Sequence, residues 1–291
     1  MPQEPNAIVQ TALVVTGRRA AARRKGFTLL ELMVVVVIIA FVLAVLSPVV
    51  TQSRRNAQGV FCMNNLKQLQ IAWALYAEDH ADWLPGVRGG SFVGPGAWVS
   101  GWLDFSSSPD NTNTAYLTDG RYAQLGPYVK SPDVFHCPAD PSAVTVHGQL
   151  RYRVRSFSMN CWMNYIGTEQ IGQDYYEVFR RSSQIIDPAP SEAWVFIDEH
   201  EASINDGLFQ IDLKDRGIST KIVDYPANRH NGAAGMSFAD GHTELKRWVD
   251  NRTVPVRKSG QLVQLNVASP DNPDVAWLQA RSSRPKETAA H

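Results

Sequence analysis

Residues 27–50 read FTLLELMVVVVIIAFVLAVLSPVV, and no other stretch limits the fold of this 291-residue chain as strongly. From Leu32 to Leu46 there is no polar side chain. At ~1.5 Å per helical residue the run spans about 36 Å, enough to cross the hydrocarbon layer of a bilayer. A helix is the form required there, because lipid offers no partner to open backbone groups. Arg18, Arg19, Arg23, Arg24 and Lys25 crowd its N-terminal side, whereas only Arg54 and Arg55 come soon after it. The positive-inside rule then predicts a cytoplasmic N-terminus and export of the chain beyond the run.

Two ordinary explanations of such a run fit poorly. A secretory signal peptide has a shorter apolar core and a small-residue cleavage site after it, which Ser47-Pro48-Val49 does not supply. A plain anchor leaves Glu31 without a reason, since a carboxylate inside an apolar helix is costly unless it is paired.

The run Gly26-Phe27-Thr28-Leu29-Leu30-Glu31 resembles the type IV prepilin cleavage motif of pilins and of the pseudopilins of type II secretion systems. In that family a membrane peptidase cuts after the glycine and methylates the new N-terminal residue. The resemblance implies cleavage between Gly26 and Phe27, methylation of Phe27, and an assembly role for Glu31 opposite a neighbour's N-terminal amine. It also implies a proline near position 48, which Pro48 satisfies. A glycine suits the cut because the missing side chain lets the backbone enter a peptidase site closely. The implied partners are prepilin peptidase, other pilin or pseudopilin subunits and inner-membrane lipid. The implied location is the bacterial inner membrane, single-pass, with the C-terminal domain periplasmic or in a surface filament.

Beyond the membrane the stripe Cys62, Leu66, Leu69, Trp73, Tyr76 and His80 predicts an amphipathic continuation of the helix. It should end near Asp82, before Leu84-Pro85-Gly86. Residues 85–147 are rich in Gly, Pro, Ser, Asp and Asn and predict loops with short helices. Their tryptophans are either sugar-stacking platforms or, as is commoner, pins that hold loops to the core. Leu150–Phe157 alternates apolar and basic residues, as a half-exposed strand does. Ala193–Ile197 is an unbroken apolar run, expected to be a buried central strand. Met236–Ala239, the Asp240-Gly241 turn and His242–Trp248 predict a hairpin, and Gln261–Val267 a further strand. The expected organisation is a leader at 1–26, a transmembrane helix at 27–50, its amphipathic continuation at 51–84, a globular domain at 85–267 and a polar tail at 268–291, in which Asp274–Leu278 docks against the domain and the last dozen residues are disordered. The fold class is α+β and pilin-like, a long N-terminal helix packed on an antiparallel sheet with long loops.

A second resemblance lies in the globular part. Arg229-His230, nine residues, then Asp240-Gly241 is similar to the H-X9-DG element of a large set of prepilin-type proteins. Phe61–Leu69 and Phe135-His136-Cys137-Pro138-Ala139-Asp140 resemble other segments of that set.

Formal charge is zero, but the basic leader leaves the remainder mildly acidic, which argues against nucleic-acid binding. The three cysteines, Cys62, Cys137 and Cys161, either stay reduced or form one bridge, for which Cys137 with Cys161 is the pair considered. No G-x-S-x-G, HExxH or P-loop occurs, so no enzyme is expected and no catalytic residue is assigned. Asp198, Glu199, His230, Asp240 and His242 are the candidate metal ligands. Carboxylates there favour calcium and imidazoles zinc. The competing expectation is that His230 and Asp240 hydrogen-bond each other across the hairpin and fix its register. The function expected from all of this is a pseudopilin or minor pilin. The alternative is a membrane-tethered module that binds a glycan or a secreted partner.

Overall fold

A computed structural model describes residues 26–255 and 260–286, without the side chains of 48–51. The leader up to position 25 and the last five residues lie outside this range. Two compact units divide the chain, Met1–Val49 and Val50–His291. They share one continuous helix, α1 (Leu29–Asp79), which passes through Pro48 without interruption.

In the first unit α1 carries the apolar run. Its side chains from Leu29 to Leu46 are exposed, with no protein around them. It is the one described helix long and apolar enough to cross a membrane.

In the second unit the amphipathic part of α1 packs on a sheet. Cys62, Leu66, Leu69, Trp73 and Tyr76 are all buried, so the expected stripe is the buried face, while His80 lies exposed and stacks on Tyr76. Three strands form the centre: β3 (Phe157–Asn160), β4 (Trp194–Asp198) and β7 (Ala233–Phe238), each buried throughout. With β5 (Leu208–Phe209) and β8 (Thr243–Arg247) they make a five-stranded sheet in the order β5-β3-β4-β7-β8. All its pairs are antiparallel except β3–β5. The apolar run at 193–197 is thus a central strand, and β7–β8 is the expected hairpin, with Gly241 at φ +95° in its turn. At Gly235 in β7 the helix comes so close that an added Cβ would sit 2.7 Å from Leu66 Cδ1 and 3.0 Å from Cys62 Sγ.

The region from 85 to 147 holds one short helix, α2 (Ala115–Thr118), and 3-10 turns among loops, as composition predicts. Trp98 is a pin, not a platform: it is fully buried, donates from Nε1 to Gly207 O at 2.8 Å and packs on Phe135 and Phe196.

Two expectations fail. Leu150–Phe157 is not one half-exposed strand. It splits into β2 (Gln149–Tyr152), which pairs with β1 (Ala143–Val146), and β3 in the main sheet. Between them Arg153 and Arg155 are buried. Arg153 donates to Glu201 O at 2.6 Å and Ile204 O at 2.8 Å, and Arg155 to Phe157 O at 2.7 Å and Asp206 O at 2.6 Å. The forked guanidinium reaches two carbonyls at once, so these arginines satisfy loop backbone that would otherwise be stranded.

The boundary expected between 267 and 268 fails too, whereas the docking expected of Asp274–Leu278 is seen. The boundary falls inside β9 (Val267–Ala268), which pairs with β6 (Lys221–Ile222). It is followed by α3 (Pro273–Ala280), whose Asn272 N-cap accepts from Asp274 N and Val275 N at 2.9 and 3.2 Å. Val275, Leu278 and Ser282 are buried, and Trp194 Nε1 donates to Ser282 Oγ at 3.0 Å. The apolar Val275 and Leu278 on one helix face dock the segment. Of the expected strand 261–267 only Val267 is in a strand.

Gly235→Ala should lower the stability of the folded domain by about 1–3 kcal/mol, because a methyl there overpacks the helix–sheet contact. Denaturant titration would check it; an unchanged midpoint would show the contact to be looser than described.

Candidate functional site

The N-terminal motif is built by the start of α1. Gly26 is exposed, and a Cβ added to it would meet nothing within 4 Å. Phe27 is 81% exposed. Glu31 is not left bare: its Oε2 accepts from Thr28 N and Thr28 Oγ, both at 2.8 Å, and Thr28 Oγ in turn accepts from Glu31 N at 3.2 Å. Thr28 and Glu31 therefore form a capping box, which satisfies two of the first backbone donors of α1. The T-x-x-E spacing carries that signal in the sequence, so Glu31 has a structural role beside the assembly role expected of it.

The second constellation is buried in the globular head. Asp198, the last residue of β4, faces Cys62 on α1, with Cys62 Sγ 3.9 Å from Asp198 Oδ2. His230, just before β7, sets Nε2 3.8 Å from Asp198 Oδ2 and 3.3 Å from Cys137 Sγ. Cys137 follows the 3-10 turn Pro132–Phe135 and donates its backbone N–H to Ser156 Oγ at 3.1 Å. All four residues are buried, and one ligand atom from each lies within 4.8 Å of the others. Phe61–Leu69, Phe135–Asp140 and Arg229–Gly241, distant in sequence, thus meet at one point. Asn65 Nδ2 donates to His136 O at 2.9 Å and Gln58 Nε2 to Pro138 O at 3.1 Å, which ties the Cys137 loop to α1.

A buried guanidinium stands beside the cluster. Arg229 pairs through Nη1 with Asp198 Oδ1 and through Nη2 with Asp140 Oδ2 at 3.2 Å and Glu201 Oε2 at 3.0 Å. Burial is the largest influence on the Asp140 carboxyl and would raise it, but Arg229, His136 and hydrogen bonds from Ser156 and Ser142 together outweigh it and hold Asp140 down at about 2. At Asp198 burial wins over Arg229, and the carboxyl is pushed up to about 7. Burial, then Arg229, depresses His230 to about 4, so its imidazole is neutral and its contact with Asp198 is no ion pair. Burial pushes the Cys62 and Cys137 thiols up.

Of the five candidate ligands only Asp198 and His230 come together. Glu199 follows Asp198, and successive strand side chains point to opposite faces. It lies apart, accepting from Ser203 Oγ at 2.8 Å. Asp240 and His242 sit in the β7–β8 turn, separated from His230 by a six-residue strand that spans roughly 20 Å. They pair with each other, Asp240 Oδ1 to His242 Nδ1 at 2.6 Å, half-exposed. The expected His230–Asp240 bond across the hairpin is absent for the same reason. The Cys137–Cys161 bridge is not formed, and all three cysteines are free. Cys137 is fastened to Ser156, whereas Cys161 lies beyond the far end of β3. Five extended residues put them about 16 Å apart, too far for a disulfide. Cys62 is what sequence reasoning missed as a site residue, and Cys137 was singled out only as half of a disulfide. The signal for Cys62 was its place at the head of the buried stripe.

Residues 21–47 match the prokaryotic N-terminal methylation motif. With the long apolar helix that follows it, this match is consistent with a type IV prepilin-like protein. No curated protein and no solved structure matches the chain.

Arg229→Met would strand the Asp140 and Asp198 carboxylates in the interior. It should cost about 3–5 kcal/mol at neutral pH. Without Arg229 the Asp140 carboxyl rises above its unfolded value and Asp198, already raised to about 7, rises further, so the folded variant binds more protons than the folded parent. The deficit should shrink as pH is lowered from 7 toward about 4, and denaturation midpoints of variant and parent across that range would show it.

Proposed function

We propose that this chain is a pseudopilin or minor pilin subunit of a type II secretion or type IV pilus-like filament. The observation that carries the reading is the methylation motif at residues 21–47, set at the head of a helix able to cross a membrane. On this reading the N-terminus stays cytoplasmic, α1 holds the chain in the inner membrane and the head is exported. Prepilin peptidase cuts between Gly26 and Phe27 and methylates Phe27. Both residues lie exposed, ahead of the first residue of the helix.

Cleavage changes what Glu31 faces. The cut frees a cationic amine on Phe27, one residue before the Thr28 that Glu31 caps. In lipid, amine and carboxylate each need a partner. The Glu31 carboxylate of one subunit meets the Phe27 amine of its neighbour and sets the register of assembly.

N-terminal sequencing of the mature protein should read from Phe27; a mature chain beginning after Ser47 would mean an ordinary signal peptide. Glu31→Gln separates the two roles of Glu31, because glutamine also serves in a capping box. The variant should insert normally and keep its helix start, yet enter filaments poorly in a crosslinking assay. Wild-type incorporation would remove the assembly role.

A further inference from the structure

We propose that Cys62, Cys137, Asp198 and His230 form a tetrahedral site for a zinc-class divalent metal, which clamps α1 to the head. A tetrahedral zinc, with bonds of about 2.0–2.3 Å, holds neighbouring ligand atoms about 3.3–3.8 Å apart. The distances here are 3.3 Å for Cys137 Sγ to His230 Nε2, 3.8 Å for His230 Nε2 to Asp198 Oδ2 and 3.9 Å for Cys62 Sγ to Asp198 Oδ2. These three distances fall at or near the tetrahedral range, and one ligand atom from each of the four side chains lies within 4.8 Å of the others.

The donor set selects the metal. Two sulfurs and one imidazole suit zinc or another thiophilic ion, whereas calcium takes six or more oxygens. The calcium reading of the acidic residues therefore does not extend to this cluster. The surroundings match a metal's needs as well. Arg229 holds the Oδ1 of Asp198, which leaves Oδ2 aimed at the centre. The Ala139 amide hydrogen-bonds the Cys137 sulfur, a contact that favours the thiolate. An open pocket lined by Arg55, Gln58, Ala139, Asn228 and Arg229 adjoins the cluster and offers a way in.

Charge is conserved on loading. A zinc ion enters with two positive charges, the Cys62 and Cys137 thiols lose one proton each to solvent, and two sulfur–zinc bonds form. Neutral His230 and the Asp198 carboxylate bind through lone pairs. The net charge of this buried region is then the same before and after. A disulfide between Cys62 and Cys137 is the competing use of the two sulfurs in an oxidising compartment. It would account for two of the four converging groups and leave the aim of His230 Nε2 and Asp198 Oδ2 unexplained.

The ligands come from helix α1, the loop after Pro132–Phe135, the end of β4 and the approach to β7, spread over positions 62–230. A metal there closes long loops and would pin the helix to the head independently of apolar packing.

Elemental analysis of the full-length chain, purified in detergent without chelator, tests the site with zinc(II) as the probe. The parent and Cys161→Ser should hold about one zinc per chain, and Cys62→Ser and His230→Gln at least roughly ten-fold less. Chelation should lower the parent's thermal midpoint by about 10 °C and leave that of Cys62→Ser in place. Should the variants fail to fold, cobalt(II) added to the chelated parent still decides. Strong tetrahedral d–d absorption with sulfur-to-cobalt charge transfer is expected, and a weak octahedral spectrum would overturn the proposal. So would parent zinc content no higher than that of Cys62→Ser, or a Cys62–Cys137 disulfide in unreduced exported protein.

Discussion

The seating of α1 on the sheet is the contact on which the rest of the head depends. Cys62 and Leu66 of the helix press on β7 at Gly235, and Leu69, Trp73 and Tyr76 belong to the same buried core as β4 and β7. Gly235 lets the helix approach to where a methyl would clash with Leu66 and Cys62. Polar anchors fix the position along the helix: Ser237 Oγ donates to Gln70 Oε1 at 2.9 Å, and Lys67 Nζ reaches Gly241 O at 2.5 Å. Burial of large apolar side chains supplies most of the favourable free energy in such a contact. The same helix that is apolar enough to enter a membrane at one end is thus a core element at the other.

Around that contact much of the head is loop, and buried arginines organise it. Arg153 and Arg155 gather carbonyls from residues 157–206, and Arg229 gathers three carboxylates. Taking these charges out of water is costly, and these acceptors answer the Nη groups, while the Nε of Arg153 and of Arg229 has no hydrogen-bond partner. Loops held this way have a defined shape without regular strands or helices. That shape brings Cys137 and His230 to the helix at Cys62.

Elements with a local period were legible in the sequence. The apolar run gave the anchor, the 4-3-4-3 stripe gave the buried face of α1, and Asp240-Gly241 gave the hairpin turn. What depended on distant partners was not. Alternating arginines at 151, 153 and 155 look like the solvent side of a strand, and nothing local says that Glu201, Ile204 and Asp206 carbonyls wait for two of them. The apolar Val275 and Leu278 in a polar stretch made the docking of 274–278 legible, but not that a strand at Val267–Ala268 would precede it. Half of the converging cluster, Asp198 and His230, stood out as acidic and imidazole residues. Its sulfurs did not, because Cys62 reads as one more apolar position of the stripe and no short spacing links it to Cys137. Thr28-x-x-Glu31 was a visible capping signal, overshadowed by the question of a charge in lipid.

Comparison of two soluble chains, one beginning at Gln52 and one at Asp82, tests most directly whether α1 is part of the head's core. The first keeps the stripe from Cys62 to Tyr76, and the second removes it. The first should unfold in a single cooperative thermal transition with a native near-ultraviolet spectrum. The second should show no such transition, because the sheet face over β4 and β7 would be open to water. A cooperative transition at the same midpoint in the chain beginning at Asp82 would contradict the account.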